Sequence, residues 1–167
     1  AGKTVLTNMI QDAASQAGRK VVALELDRYF KAWSEMPTVE NGQLDFDNPE
    51  AMHMDWIAED IGRLLRGEEI DMPAFEFSTG TSIRHSGEKK RLGDTDILVL
   101  DSIHAFHDTI LGSVAGYDTA KFFVDADADH RLLRRIRRDA LGPRNLRPIL
   151  NIRWWDLIRD REERFIL

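Results

Sequence analysis

Hydrophobic and polar positions alternate along the chain with two periods, one helical and one extended. Val5, Leu6, Met9, Ile10, Ala13 and Ala14 recur at helical spacing and Gly18 follows them, which predicts an amphipathic helix over residues 4 to about 17. Residues 21–26 form a short apolar run interrupted by Glu25 and followed by Asp27; this reads as a buried strand. Pro37, Asn41 and Gly42 break the stretch 28–47 into a loop. Asn48-Pro49 reads as an N-cap with proline at the first helical position. Met52, Trp56, Ile57, Ile61, Leu64 and Leu65 supply the buried stripe of the helix that follows, and Gly67 closes it.

Apolar residues alternate over 69–77, predicting an extended segment around Pro73, and the polar stretch 78–96 reads as a loop or irregular hairpin. Residues 97–100 read as a buried strand ending in Asp101, and residues 121–124 as another ending in Asp125. Asp129 is expected to cap a helix with Leu132, Leu133, Ile136 and Ala140 on its apolar face, broken by Gly142-Pro143. Trp154, Trp155, Leu157 and Ile158 predict one more amphipathic helix. No internal repeat or low-complexity linker interrupts the pattern.

Strands separated by helices predict an α/β fold with a mostly parallel sheet covered by helices on both faces, a three-layer α/β/α arrangement. In such folds ligands sit beyond the carboxyl ends of the strands. Asp27, Asp101 and Asp125 each stand at such an end, where carboxylates for metal and proton chemistry belong.

Composition narrows the choice. A length of 167 residues suits a single domain. The net charge of −6 argues against a general nucleic-acid binder. The absence of cysteine excludes disulfides, thiol catalysis and cysteine-ligated zinc. No apolar run approaches the ~20 residues that cross a bilayer, so no membrane partner is expected; a cytoplasmic location is the expectation, and a targeting segment upstream would not be visible in this sequence.

Gly2-Lys3-Thr4 matches the last three positions of a P-loop, G-x-x-x-x-G-K-[ST]. In that motif backbone N–H groups cradle phosphates, the lysine reaches the β/γ-phosphates and the hydroxyl holds Mg²⁺. The triplet alone also suits an ordinary helix start with an exposed lysine, but here it opens an amphipathic helix whose N-terminus favours anions. A strand-end aspartate such as Asp101 is often only a turn residue. Paired with the upstream triplet, it reads as the second nucleotide-binding element, a carboxylate held near the metal. Asp125, Asp127 and Asp129 lack the glycine and distal glutamate of a calcium loop. His104 and His107 have no companion ligands, so neither cluster is read as a metal site.

Four segments resemble the uridine kinase and phosphoribulokinase family of P-loop kinases. Glu25-Leu26-Asp27-Arg28-Tyr29-Phe30 is similar to the family strand that ends in aspartate and aromatics. Leu44-Asp45-Phe46-Asp47-Asn48-Pro49-Glu50-Ala51 is similar to its "FDHPEA" stretch. Asp71-Met72-Pro73-Ala74-Phe75-Glu76-Phe77 is similar to its "P-x-Y-D-F" segment. Residues 123–139, with Asp125, Asp127, Arg131, Arg134, Arg135 and Arg138, resemble "FVDxDxxxRLxRRIxRD".

The resemblance implies a P-loop NTPase fold of nucleoside-kinase type and an ATP-dependent kinase of a small hydroxyl-bearing acceptor, with uridine or cytidine as the model. Asp27 would be the general base, with Lys3 and Asp101 completing the catalytic set. Gly2, Lys3 and Thr4 would bind ATP phosphates, and Thr4, Asp27 and Asp101 would hold Mg²⁺ as the cofactor. Phe46 and Asp47 would contact the acceptor, while Tyr29, Phe75 and Phe77 would wall its base pocket.

Arg131, Arg134, Arg135 and Arg138 line one helix face by their i, i+3, i+4, i+7 spacing. A solvated cationic face is the plain alternative. With Arg144 and Arg147 beyond Gly142-Pro143, an arginine-bearing lid over 131–148 is the favoured reading, led by Arg135, Arg138 and Arg144.

Three departures bear on function, the first two on base recognition and the third on the metal side. Uridine–cytidine kinases place a base-reading histidine shortly after the segment matched to Glu76-Phe77, where this chain has Ser78, Thr79 and Gly80; His85 comes too late. Residues 149–153 replace an expected glutamine-bearing helix. Asp101 stands where most members have glutamate. Another sugar-like or pantothenate-like alcohol as acceptor, or a non-catalytic ATP-binding relative, are therefore the alternatives. Family members often assemble, so a homo-oligomer is compatible. In this fold the strand feeding the P-loop is central to the sheet. The chain is therefore expected to extend upstream, with a slot beside the strands ending at Asp27 and Asp101. The tail, with Trp155 and Glu162-Glu163, is similar to "W-x-x-V-x-x-G-E-E-x-x-I" of some bacterial members, so an extension downstream is expected as well.

Overall fold

The computed structural model describes residues 2–40 and 42–141. Their contacts group into two units, Thr4–Thr119 and Ala1–Lys3 with Ala120–Leu167.

Helix α1 (Lys3–Gln16) starts on the lysine of the Gly-Lys-Thr triplet. Leu6 and Ile10 are half-buried and Ala14 is buried, one residue per turn, whereas Val5 and Met9 are 63% and 62% exposed. The inward stripe is thus narrower than the sequence periodicity predicts. Gly18, at φ 69°, ends the helix: its N–H reaches the Ser15 carbonyl at 3.0 Å and that of Arg19 the Ala14 carbonyl at 2.9 Å. This is a Schellman closure, which needs a left-handed residue.

Strand β1 (Val21–Glu25) follows, and residues Leu26–Tyr29 wind directly into a 3₁₀ turn. Helix α2 (Met54–Leu65) starts later than the Asn48-Pro49 signal predicts. Asn48 does cap, accepting from the Glu50 N–H at 2.9 Å, but the cap serves a separate 3₁₀ turn, Pro49–Ala51. A short antiparallel contact explains the break. The Lys31 N–H donates to the Ala51 carbonyl at 2.8 Å and the His53 N–H to the Tyr29 carbonyl at 2.8 Å. These bonds hold the backbone at Met52 extended, opposite Phe30, so no helix can run through it.

The next region is two nested antiparallel pairs. β2 (Ile70–Asp71) and β3 (Ala74–Glu76) are followed by β4 (Thr81–Ile83) and β5 (Lys89–Lys90), with β3 pairing β4 and β2 pairing β5. The polar stretch expected as loop or irregular hairpin is therefore the return limb of this hairpin. β6 (Ile97–Asp101) then pairs in parallel with β1, Val21 opposite Ile97 and Glu25 opposite Asp101. Among the described residues no third strand joins either one. Helix α3 (Asp108–Ser113), which hydrophobic spacing did not reveal, is capped by the His107 ring accepting from the Thr109 N–H.

The core of this unit lies between the β1 end and α2. Leu24, Leu26, Ile57, Ile61, Leu64 and Ile110 are fully buried there, each worth roughly 1.5–3 kcal/mol over an exposed position.

In the other unit, α4 (Ala128–Leu141) forms over the predicted arginine-rich stretch. Two details differ from expectation. Asp129 lies inside α4 instead of capping it, and the Asp127 carbonyl already accepts from the Arg131 N–H at 3.0 Å. Residues 121–124 form no strand: Phe122 and Phe123 are 60% and 51% exposed. An extended run becomes a strand only where a neighbour offers backbone partners, and among the described residues none does. The predicted tail helix, the Gly142-Pro143 break and Arg144 and Arg147 of the lid lie outside the described residues.

Candidate functional site

The parallel register brings two carboxylates to one end of the sheet. Asp101 is the last residue of β6 and stands opposite Glu25, the last residue of β1. Asp27 lies two residues further on. The 3₁₀ turn decides its orientation: Leu26 and Tyr29 are fully buried, while Asp27 is exposed. Buried neighbours on both sides fix the turn, and the carboxylate is left facing outward at the strand ends.

The turn is held from a second side by Arg28. Its Nε donates to the Pro73 carbonyl at 2.8 Å, and its guanidinium pairs with Glu88 at 2.7 Å. Lys90 links the same strand through the Ala23 carbonyl at 2.6 Å and Glu25 at 3.1 Å.

Beside the turn stands a cluster of four phenylalanines. Phe30 meets Phe46, Phe75 and Phe77 edge-on, with centroids 5.2, 5.6 and 6.3 Å apart. Phe75 and Phe77 meet at 4.8 Å, and Phe46 and Phe77 lie closer to parallel at 29°. Such pairs contribute about 0.5–1.5 kcal/mol each beyond burial. Phe77 remains 40% exposed, so the cluster presents ring surface outward. Asp47, half-buried, directly follows Phe46, while Asp45 is buried. The expected acceptor residues Phe46, Phe75 and Phe77 are thus brought together.

Tyr29 is not among them. It is fully buried, and its hydroxyl donates to Asp60 Oδ2 at 2.9 Å. Burial and the Asp60 charge push its pKa far up. The correction has a simple cause: in the Tyr29-Phe30 pair the 3₁₀ turn sends Tyr29 into the core, and Phe30 takes the place in the cluster. Phe30 was missed because two adjacent aromatics look equivalent in a sequence. Asp60 was missed too, although an acid three residues from Ile57 and one from Ile61 falls inside the buried helical arc.

The phosphate-side residues are placed on their own elements. Lys3 and Thr4 are the first two residues of α1, half-buried and exposed respectively. Gly2 has φ 105°, a backbone conformation that favours glycine, and a Cβ there would lie 3.3 Å from the Val124 side chain, a tight contact. Arg135 and Arg138 belong to α4, but their side chains, like Arg144, lie outside what the structure describes. Among the described residues no group of three His, Asp or Glu side chains could hold a metal. The oxygen donors Thr4, Asp27 and Asp101 suit Mg²⁺, which binds through one or two carboxylates and relies on water and substrate phosphates for the rest.

The family model described as "Phosphoribulokinase / Uridine kinase family" matches residues 1–142. The chain belongs to this family. It is 34% identical over 138 residues to a uridine kinase of Bacillus pumilus, covering 83% of this chain and 62% of that protein. It is 30% identical over 169 residues to a uridine kinase of Halobacterium salinarum, covering 99% of this chain and 70% of that one. The chain therefore spans between about three-fifths and seven-tenths of its relatives' length. A solved structure of a candidate fructose transport system kinase from Silicibacter sp. TM1040 superposes with a TM-score of 0.66 at 12% identity, over 97% of this chain and 73% of that one. That likeness shows the fold, an α/β arrangement around a parallel strand pair.

One departure from uridine–cytidine kinases has a structural counterpart. Ser78, Thr79 and Gly80 lie in the turn that joins β3 to β4. Gly80 sits at φ 67°, and a Cβ on it would collide with the Trp33 ring. The Trp33 N–H donates to the Gly80 carbonyl at 3.0 Å. An indole therefore lies over the stretch where a histidine is expected.

Proposed function

We propose that this protein transfers the γ-phosphate of ATP to a hydroxyl of a nucleoside acceptor of the uridine or cytidine kind. The observation that carries this reading is Asp27. It is exposed at the carboxyl end of a parallel strand pair, in a turn whose Leu26 and Tyr29 are buried, and three residues before the phenylalanine that heads the aromatic cluster.

In this reading the acceptor ring rests against Phe30, Phe46, Phe75 and Phe77, with Asp47 accepting from sugar hydroxyls. Asp27 takes the proton of the reacting hydroxyl as its oxygen bonds to the γ-phosphorus and the bond to the β-phosphate oxygen breaks, leaving ADP. Lys3 and the N–H groups at the start of α1 receive the phosphates. Thr4 and Asp101, with Asp27 nearby, would hold Mg²⁺, which when bound neutralises charge on the phosphates. Arg135, Arg138 and Arg144 would close over the transferring group as a lid.

The Trp33–Gly80 contact favours a second reading: the same chemistry on a different sugar-like or pantothenate-like alcohol. The histidine that reads a pyrimidine is absent, and an indole lies over its place. The aspartate at position 101, where most relatives have glutamate, keeps a non-catalytic ATP-binding role as a third. All three are separated by ADP release from full-length protein with Mg-ATP and uridine, cytidine, adenosine, ribose or pantothenate. Turnover confined to pyrimidine nucleosides is the expected result. Turnover confined to another alcohol would establish the second reading, and ATP binding without turnover the third.

A further inference from the structure

Asp60 is an acid on the buried stripe of a helix. It is fully buried, between Ile57, Ile61 and Leu64 on the inward face of α2. Both of its oxygens are used. Oδ2 accepts from the Tyr29 hydroxyl at 2.9 Å and from Arg84 Nη1 at 2.9 Å, while Oδ1 accepts from Arg84 Nη2 at 2.8 Å. The guanidinium is therefore gripped bidentately, the geometry that fixes a plane as well as a distance. Arg84 also pairs with Glu59 at 3.3 Å and lies 5.2 Å over the Trp56 ring. Trp56 in turn stacks on His53 at 3.6 Å. The circuit then closes, because the His53 N–H donates to the Tyr29 carbonyl.

Three separate pieces meet on this carboxylate. Tyr29 ends the 3₁₀ turn that carries Asp27. Arg84 directly follows β4, in the hairpin whose other strand carries Phe75 and leads to Phe77. Asp60 belongs to α2, which packs on the turn, and the turn also meets the hairpin directly through Phe30 against Phe75 and Arg28 on the Pro73 carbonyl. Stability does not explain the arrangement, because a well-packed apolar group at a buried site commonly does as well as an ion pair. What a bidentate, fully occupied carboxylate adds is a fixed relative orientation.

We infer that Asp60 is a positioning residue: by binding Tyr29 and Arg84 at once, it sets the Asp27 turn against the aromatic hairpin and so fixes the proton acceptor relative to the ring of the bound acceptor. The catalytic part of this inference rests on the kinase reading above. The mechanical part, a link between the turn and the hairpin through Asp60 in addition to their direct contacts at Phe30 and Arg28, does not.

The test pairs kinetics with amide hydrogen exchange on full-length protein. Tyr29→Phe removes one hydroxyl and keeps the ring. It is expected to speed exchange in residues 26–30 and also in residues 74–83, which the turn meets directly at Phe30 and Tyr29 meets through Asp60 and Arg84. Displacement of a reacting group by a fraction of an ångström should lower kcat roughly tenfold or more. The acceptor KM should rise while the KM for ATP stays unchanged. Arg84→Lys keeps the charge but not the fork and should reproduce the same split. The double variant should lose little more than either single one, because both act through one carboxylate. Asp60→Asn, if it folds, should behave likewise; if it does not, the two milder variants decide. The inference is overturned if Tyr29→Phe lowers the melting temperature but leaves exchange in 74–83, kcat and the acceptor KM at wild-type values. Should the wild-type protein phosphorylate no acceptor, the kinase reading fails, and exchange alone decides: faster exchange in 74–83 in both Tyr29→Phe and Arg84→Lys, with little more in the double variant, upholds the brace, and wild-type exchange there in Tyr29→Phe removes it.

Discussion

Single residues carry the chemistry, and their environment decides which ones can. Asp27 and Asp101 are legible in the sequence because an apolar run that ends in an acid places that acid at a strand end. Tyr29 and Phe30 are not separable that way, since only the 3₁₀ turn determines which ring goes inward. His104 shows how a buried residue becomes a measurable quantity. It is 3% exposed, and neither ring nitrogen has a hydrogen-bond partner among the described residues. Burial first, and His107 second, lower its pKa from 6.5 to about 4. Well above pH 6.5 the ring is neutral folded and unfolded, so its titration leaves stability independent of pH. Between pH 6.5 and 4 the unfolded chain binds a proton that the folded chain refuses, and stability falls. The loss approaches about 3 kcal/mol at the acid end. His104→Leu should remove that part of the acid sensitivity, read as a flatter dependence of denaturation midpoint on pH from 7 to 4.5. An unchanged slope would assign the acid sensitivity to other groups.

At the scale of elements, the helices and strands that pack by themselves follow the hydrophobic pattern, and those set by partners do not. α1, α2, β1 and β6 stand close to where periodicity puts them. The delayed start of α2 follows from the bridge between Phe30 and Met52, a pairing 22 positions apart that no local signal announces. Residues 121–124 have strand composition but no described partner strand. The β3–β4 turn shows the reverse, a local constraint with a distant effect. Gly80 combines a left-handed backbone with the Trp33 ring on its Cα, clipping the loop after Phe30 to the hairpin. Gly80→Ala should therefore destabilise the protein by at least the ~1–2 kcal/mol of left-handed strain, visible as a lower denaturant midpoint. It should also raise the acceptor KM as the hairpin is pushed from Trp33. Stability within a few tenths of wild type would mean that the clip yields without cost.

In the molecule as a whole, a family, a fold and a candidate site coincide. Family membership was readable because four separated segments similar to the family's occur in the family's order. The assembly of the site was not readable: the aromatic cluster and the Asp60 brace depend on contacts between the turn, α2 and the hairpin, far apart in sequence. No helix among the described residues is long and apolar enough to cross a membrane. The central claim is that Asp27 accepts the proton of the reacting hydroxyl, and Asp27→Asn tests it most directly because the amide keeps the shape and loses the base. With saturating Mg-ATP and the preferred acceptor, the variant's kcat should fall by about 10²–10⁴-fold, with ATP affinity close to that of the wild-type protein. A variant that turns over at the wild-type rate would contradict the assignment.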